Sequence, residues 1–310
     1  MKRIISKKKR KKQKNNMMKI LFLIIVLIIT CGIIENNKIN DEKSNKRLLK
    51  WEEELKKDIF HARVKTIIKE SEIKESIKKI GLTGIESKNI FFSVYDNNEN
   101  IIYKIGKDGE NLVPASIAKI YTLVYVLDIL KDYDKNTKVK AGNEIELNST
   151  DASSAGLIKG KEYNINDLIS SAVIISAGDS VYTLTKIAYN IEKGLDINND
   201  ILKNNSTKED KSKAVSDISE HITKYLKEKV KLSADTKITD PTGILNTSKT
   251  TYKDMYILMK YIYSNKVKMK EIILNAETAE MQISGEFLTG RGQKLTNTNP
   301  FLNKKSSWYE

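Results

Sequence analysis

A serine hydroxyl becomes a nucleophile only when a base takes its proton, and this chain offers few bases of the usual kind. It has two histidines, His61 and His221, and a single cysteine, Cys31. Neither histidine lies near a candidate nucleophile in the sequence, and no His, Cys and carboxylate ligands cluster. A Ser-His-Asp triad, cysteine catalysis in the body of the chain and a catalytic metal are therefore disfavoured. The remaining base is lysine. Ser-x-x-Lys on a helix sets hydroxyl and amine about one turn apart, within reach of each other.

That spacing is common in a lysine-rich chain, so context must choose among its instances. It occurs at Ser6/Lys9, Ser71/Lys74, Ser76/Lys79 and Ser116/Lys119. The first three lie in charge-rich stretches, where a solvated lysine stays protonated. Lys119 is the only charge in the apolar run 112–127, which Pro114 introduces at a helix start. A run apolar on nearly every side predicts a buried central helix. Burial there favours the neutral amine, the form that acts as a base. Context alone leaves a second reading open, in which Lys119 snorkels to solvent.

The elements that must position this pair follow from the rest of the pattern. Residues 89–95 and 101–105 are strand-like and flank Asp96-Asn97-Asn98-Glu99-Asn100, a turn composition that predicts a hairpin. Helices are expected over 165–175, 181–191 and 252–263, with a turn at Asp240-Pro241-Thr242-Gly243. The segment 192–220 is polar and reads as surface structure. Helices interleaved with an early hairpin argue for an α/β or α+β layered fold.

Charge and hydropathy place the body outside the membrane. The formal net charge is +14, but the first nineteen residues carry ten Lys or Arg and no acid, leaving +4 for the rest. A mildly basic body does not support a nucleic-acid partner. Residues 20–34 follow without a charge, which predicts an export signal or membrane anchor. Retention as an anchor, cleavage near residues 30–32 and lipidation at Cys31 all remain open. The expected organisation is a basic cytoplasmic segment over 1–19, the signal or anchor over 20–34, a charged linker with an amphipathic helix over 35–87, and a catalytic domain over 88–310.

Several motifs then carry a resemblance. Val113-Pro114-Ala115-Ser116-Ile117-Ala118-Lys119 resembles the nucleophile motif of the serine D-Ala-D-Ala carboxypeptidases, the low-molecular-mass penicillin-binding proteins. Asp151-Ala152-Ser153-Ser154-Ala155-Gly156-Leu157 is similar to the segment preceding that family's second motif, and Ser176-Ala177-Gly178-Asp179-Ser180 to the second motif itself. Asp240-Pro241-Thr242-Gly243-Ile244 resembles its Asn-Pro-x-Gly-Leu turn, and Leu295-Thr296-Asn297-Thr298-Asn299 the approach to its Lys-Thr-Gly strand.

The resemblance implies the penicillin-binding-protein/β-lactamase fold, an antiparallel sheet flanked by helices. It implies Ser116 as acyl-ester nucleophile, Lys119 as general base and Ser176 as proton relay. The implied substrate is the peptidoglycan stem peptide, with β-lactams as inhibitors, the membrane as partner through the N-terminus and no cofactor. Two departures stand out. Gly178 takes the place of the asparagine in Ser-x-Asn, and no Lys-Thr-Gly occurs. The chain reaches Glu310 before the strand that would carry that motif, so the C-terminal strands are expected to be missing. A non-catalytic cell-wall-binding relative is the alternative. A β-lactamase is weighed less, since Glu144-Ile145-Glu146-Leu147-Asn148 imitates a deacylating motif but precedes the second motif, and reads as a surface strand or loop.

Overall fold

The helix that begins at Ala118 organises everything around it. In the computed structural model, which describes residues 112–299 continuously, the backbone of 92–95 and 101–105, and positions 46, 50 and 302, this helix (α1) runs Ala118–Ile129. A 3-10 turn, Ala115–Ile117, precedes it, with buried Pro114 at its cap. Ala118, Tyr121 and every residue from Leu123 to Leu127 are fully buried. Val, Thr and Tyr are indifferent helix formers, so packing rather than propensity holds this segment helical. Each large side chain so buried contributes roughly 1.5–3 kcal/mol. The buried central helix expected from the sequence is present.

The other α-helices of residues 112–299 follow α1 in the chain. They are α2 (Ile165–Ile174), α3 (Gly178–Glu192), α4 (Lys208–Tyr225), α5 (Tyr252–Ser264) and α6 (Lys270–Ala276). α1 packs on α2, α3 and α4, and α2 also packs on α3 and α6. Three of these match the expected segments within a few residues. α4 gives the polar segment 192–220 a definite form, a helix whose first turns are exposed. Thr207 and Asp210 form a capping box at its start, and Ile218, Ile222 and Tyr225 bury its last turns.

Among the described residues the strands form three antiparallel pairs. β1 (Phe92–Tyr95) pairs with β2 (Ile101–Ile105), with Phe92 opposite Ile105, as the hairpin pattern predicts. β3 (Lys138–Lys140) pairs with β4 (Glu162–Asn164), Val139 facing Tyr163. β5 (Glu280–Phe287) pairs with β6 (Gly290–Thr296), Met281 facing Leu295. Small antiparallel pieces flanked by helices agree with the expected fold class. The Tyr163 hydroxyl accepts from Ile158 N–H and donates to the Glu286 carbonyl, tying β4 to β5.

The chain divides into two units, Met1–Lys69 and Glu70–Glu310, and the elements above belong to the second. Among the described residues no helix is long and apolar enough to cross a membrane. The segment 20–34, Cys31, His61 and, apart from helical Lys46 and Lys50, the linker expected over 35–87 lie outside the described residues.

Candidate active site

Ser116 stands exposed on the 3-10 turn at the mouth of α1, and Lys119 is 95% buried one turn further along. The turn delivers the serine outward while the helix draws the lysine in. Lys119 Nζ donates to Ser116 Oγ at 3.2 Å and to the Thr242 carbonyl at 3.0 Å. The snorkelling alternative is therefore not what the structure adopts. Burial pushes the lysine pKa below its usual value, and the Asp240 carboxylate offsets part of that fall. A neutral amine here can keep one N–H on Thr242 while its lone pair accepts the serine proton.

The carbonyl that holds Lys119 belongs to the Asp240-Pro241-Thr242-Gly243 turn, and Asp240 builds that turn. Its fully buried carboxylate accepts from Tyr182 Oη at 2.9 Å, Thr242 N–H at 2.9 Å, Thr242 Oγ1 at 2.8 Å and Leu245 N–H at 3.0 Å. Thr122 Oγ1 in α1 donates to the Pro241 carbonyl at 2.8 Å, fastening turn to helix. Gly243 has φ +73°, a left-handed conformation, and abuts Ala115. Ala115 itself has φ 46°, so the residue before the nucleophile also sits in the sparsely populated left-handed region.

Ser176 lies midway in the connection from α2 into α3, half-buried, with φ 59°. Its hydroxyl makes no hydrogen bond among the described residues, whereas Ser116 and Lys119 are in direct contact. The turn it occupies is strongly anchored next door. Asp179 accepts from Ser154 Oγ at 2.7 Å, Ala155 N–H at 2.9 Å, Leu157 N–H at 3.0 Å and Ser180 N–H at 2.9 Å. These bonds explain why the Ser153–Leu157 stretch accompanies the second motif: one carboxylate at the start of α3 collects its backbone. Gly178 N–H adds a bond to the Ser153 carbonyl at 2.8 Å.

Glu144 corrects the surface reading of its segment. Asn143–Leu147 is a 3-10 turn, and Glu144 is fully buried. Its Oε1 accepts from Lys186 Nζ at 3.0 Å, Gly142 N–H at 2.9 Å and Thr183 Oγ1 at 3.1 Å. This carboxylate neutralises a lysine inside the fold and faces no open water. His221 lies 3.6 Å from Glu192 Oε2, edge-on to Tyr189. Among the described residues no group of three or more His, Cys, Asp or Glu is placed to hold a metal.

Sequence reasoning located Ser116, Lys119 and the 240–243 turn but assigned no role to Thr242 or Asp240. A carbonyl acceptor leaves no mark in a sequence. An aspartate opening a Pro-Thr-Gly turn does leave one, and it was available as a signal.

No protein-family model and no curated protein matches the sequence. Solved structures do. A mutant of Streptomyces K15 DD-transpeptidase superposes with TM-score 0.50 at 18% identity, covering 70% of this chain and 76% of the other. Penicillin-binding protein 5 from Haemophilus influenzae matches with TM-score 0.47 at 19% identity, covering 66% of this chain and 50% of the other. Penicillin-binding protein D2 from Listeria monocytogenes, solved in an ampicillin-bound form, matches with TM-score 0.48 at 18% identity over 71% and 76%. The match thus spans half of the Haemophilus chain and about three quarters of the others. The architecture that surrounds Ser116 and Lys119 shares its fold with Streptomyces K15 DD-transpeptidase.

Proposed function

We propose that this protein is a serine D-Ala-D-Ala carboxypeptidase of peptidoglycan stem peptides that β-lactams acylate at the same serine. The single observation carrying the reading is the 3.2 Å contact between exposed Ser116 Oγ and buried Lys119 Nζ, with the amine's pKa lowered. A fold shared with a DD-transpeptidase supports it. Lys119 takes the Ser116 proton as Oγ attacks the carbonyl carbon of the D-Ala-D-Ala bond. The C–N bond then breaks, the proton passes to the departing amine nitrogen through Ser176, and D-alanine leaves an acyl-ester on Ser116. Water hydrolyses that ester, returning the serine its proton. No cofactor enters these steps. The charge pattern of residues 1–34 supports an export route that would set the domain on the outer side of a bacterial membrane.

One observation favours a second reading, a non-catalytic cell-wall-binding relative: the Ser176 hydroxyl does not engage the Ser116–Lys119 pair. Fluorescent penicillin separates the two. Covalent labelling that disappears in Ser116→Ala supports the enzyme. An unlabelled chain that still sediments with peptidoglycan supports the binding protein and sinks the carboxypeptidase.

A further inference from the structure

Position 178 has no side chain, yet the space that a side chain there would take is not empty. A Cβ built on Gly178 would lie 2.1 Å from Asn148 Oδ1 and 3.0 Å from Asn148 Cγ, with Thr242 Cγ2 at 3.4 Å. The carboxamide of Asn148, arriving from the end of the 3-10 turn Asn143–Leu147, fills that volume. Its Nδ2 donates to the Ser153 carbonyl at 3.3 Å, the same carbonyl that accepts from Gly178 N–H. Its Oδ1 is buried and has no hydrogen-bond partner among the described residues.

An amide oxygen so placed is costly to leave bare, which makes an accidental fit an expensive one. The location is also particular. Gly178 follows Ser176 by two residues and adjoins Thr242, the residue whose carbonyl holds Lys119. Asn148 therefore bonds to the carbonyl that also holds Gly178 N–H, in a space that borders Thr242, and it fits there only because residue 178 is glycine. The two positions are exclusive: either 178 carries a side chain, or Asn148 occupies its place.

We infer that Asn148 is a positioning residue for acyl transfer, its carboxamide standing in for the side chain that residue 178 lacks. Lodged between Gly178 and the Ser153 carbonyl, it sets the Ser176-Ala177-Gly178 turn against Thr242 and so keeps Ser176 and Lys119 in register with Ser116. The inference rests on the carboxypeptidase reading above.

The test moves the carboxamide between elements in the full chain. Labelling by fluorescent penicillin and turnover of a D-Ala-D-Ala peptide are measured against pH for Asn148→Ala, Gly178→Asn and the pair Asn148→Gly with Gly178→Asn. Each single change should slow acylation about tenfold or more, as misplacement of catalytic groups does. It should lower kcat rather than raise KM, and displace the pH profile. The double change should recover the rate to within about threefold, because the carboxamide returns from residue 178 itself. Acylation insensitive to Asn148→Ala overturns the inference, as does a double variant no better than the slower single one. A slower rate with unchanged pH profile and a matching fall in melting temperature also overturns it, since it marks a structural role. Failure of the unsubstituted chain to label would instead defeat the carboxypeptidase reading, a result plainly distinct from a labelled chain that ignores residue 148.

Discussion

Gly243 and Ala115 meet backbone to backbone: a Cβ at 243 would lie 1.8 Å from the Ala115 carbonyl oxygen and 2.8 Å from Ala118 Cβ. The turn that holds Lys119 is thereby pressed directly onto the turn that presents Ser116. Both residues use left-handed backbone, at φ 73° and 46°. Gly243→Ala must push these turns apart, because the obstacle is backbone that cannot rotate away. We expect a loss of about 2–4 kcal/mol from strain and overpacking together. Penicillin labelling should fall further than stability does, since Lys119 would lose its distance to Ser116. Urea titration and labelling kinetics on one preparation check both; wild-type labelling in Gly243→Ala would break the proposed link.

Lys119 should set the pH dependence. Acylation should rise with pH through the lowered pKa of its amine, as the neutral form becomes available. Stability should behave alike. A lysine with a depressed folded pKa binds its proton less well folded than unfolded, so stability climbs with pH between that value and the ordinary 10.5. Lys119→Met should remove this climb and abolish labelling. Lys119→Arg should also be nearly inactive, because a guanidinium keeps its proton.

Asp240 should tune that profile. Its carboxylate raises the Lys119 pKa against the stronger effect of burial. Asp240→Asn should therefore move the acylation profile to lower pH. The same change sets an amide NH2 against the Leu245 N–H or the Thr242 donors, at about 1–3 kcal/mol. A profile that shifts to higher pH would reverse the assigned electrostatics.

The Glu144–Lys186 pair should matter to folding and not to chemistry. Both side chains are fully buried, and Lys186 Nζ also donates to the Lys140 carbonyl at 2.6 Å. Lys186→Met leaves a buried carboxylate without its counter-ion and should cost about 3–5 kcal/mol. Adding Glu144→Leu should recover much of that loss. Folded fractions of these variants should label with penicillin at the wild-type rate, measured alongside their denaturant midpoints.

These residues also mark where sequence reasoning reaches and where it stops. α1 was legible because an unbroken apolar run has one stable solution, a buried helix, and a lone lysine in it stands out. The pairing of Ser116 with Lys119 followed from the three-residue spacing. Glu144 was misread because a charged segment looks solvated until its partner is known, and Lys186 lies on another helix. α4 shows little helical periodicity in the sequence because its apolar residues gather in its last turns, although Thr207 and Asp210 mark its start. The β5–β6 hairpin was not foreseen beyond its final residues, since Gly285, Gly290 and Gly292 interrupt the alternation. Nothing in the sequence shows that the Asn148 carboxamide comes to rest on Gly178; that is a fact of tertiary packing alone.

The near-complete burial of α1, with Ile120, Asp128 and Ile129 partly exposed, fixes the order in which the molecule can breathe. Amides of a deeply buried helix exchange with deuterium mainly when the whole domain opens, whereas exposed turns exchange by local fluctuation. The Lys119 end of the site is thus as immobile as the domain itself. The exposed end of the 240–245 turn, at Ile244 and Leu245, should take up label well before the amides of α1 do.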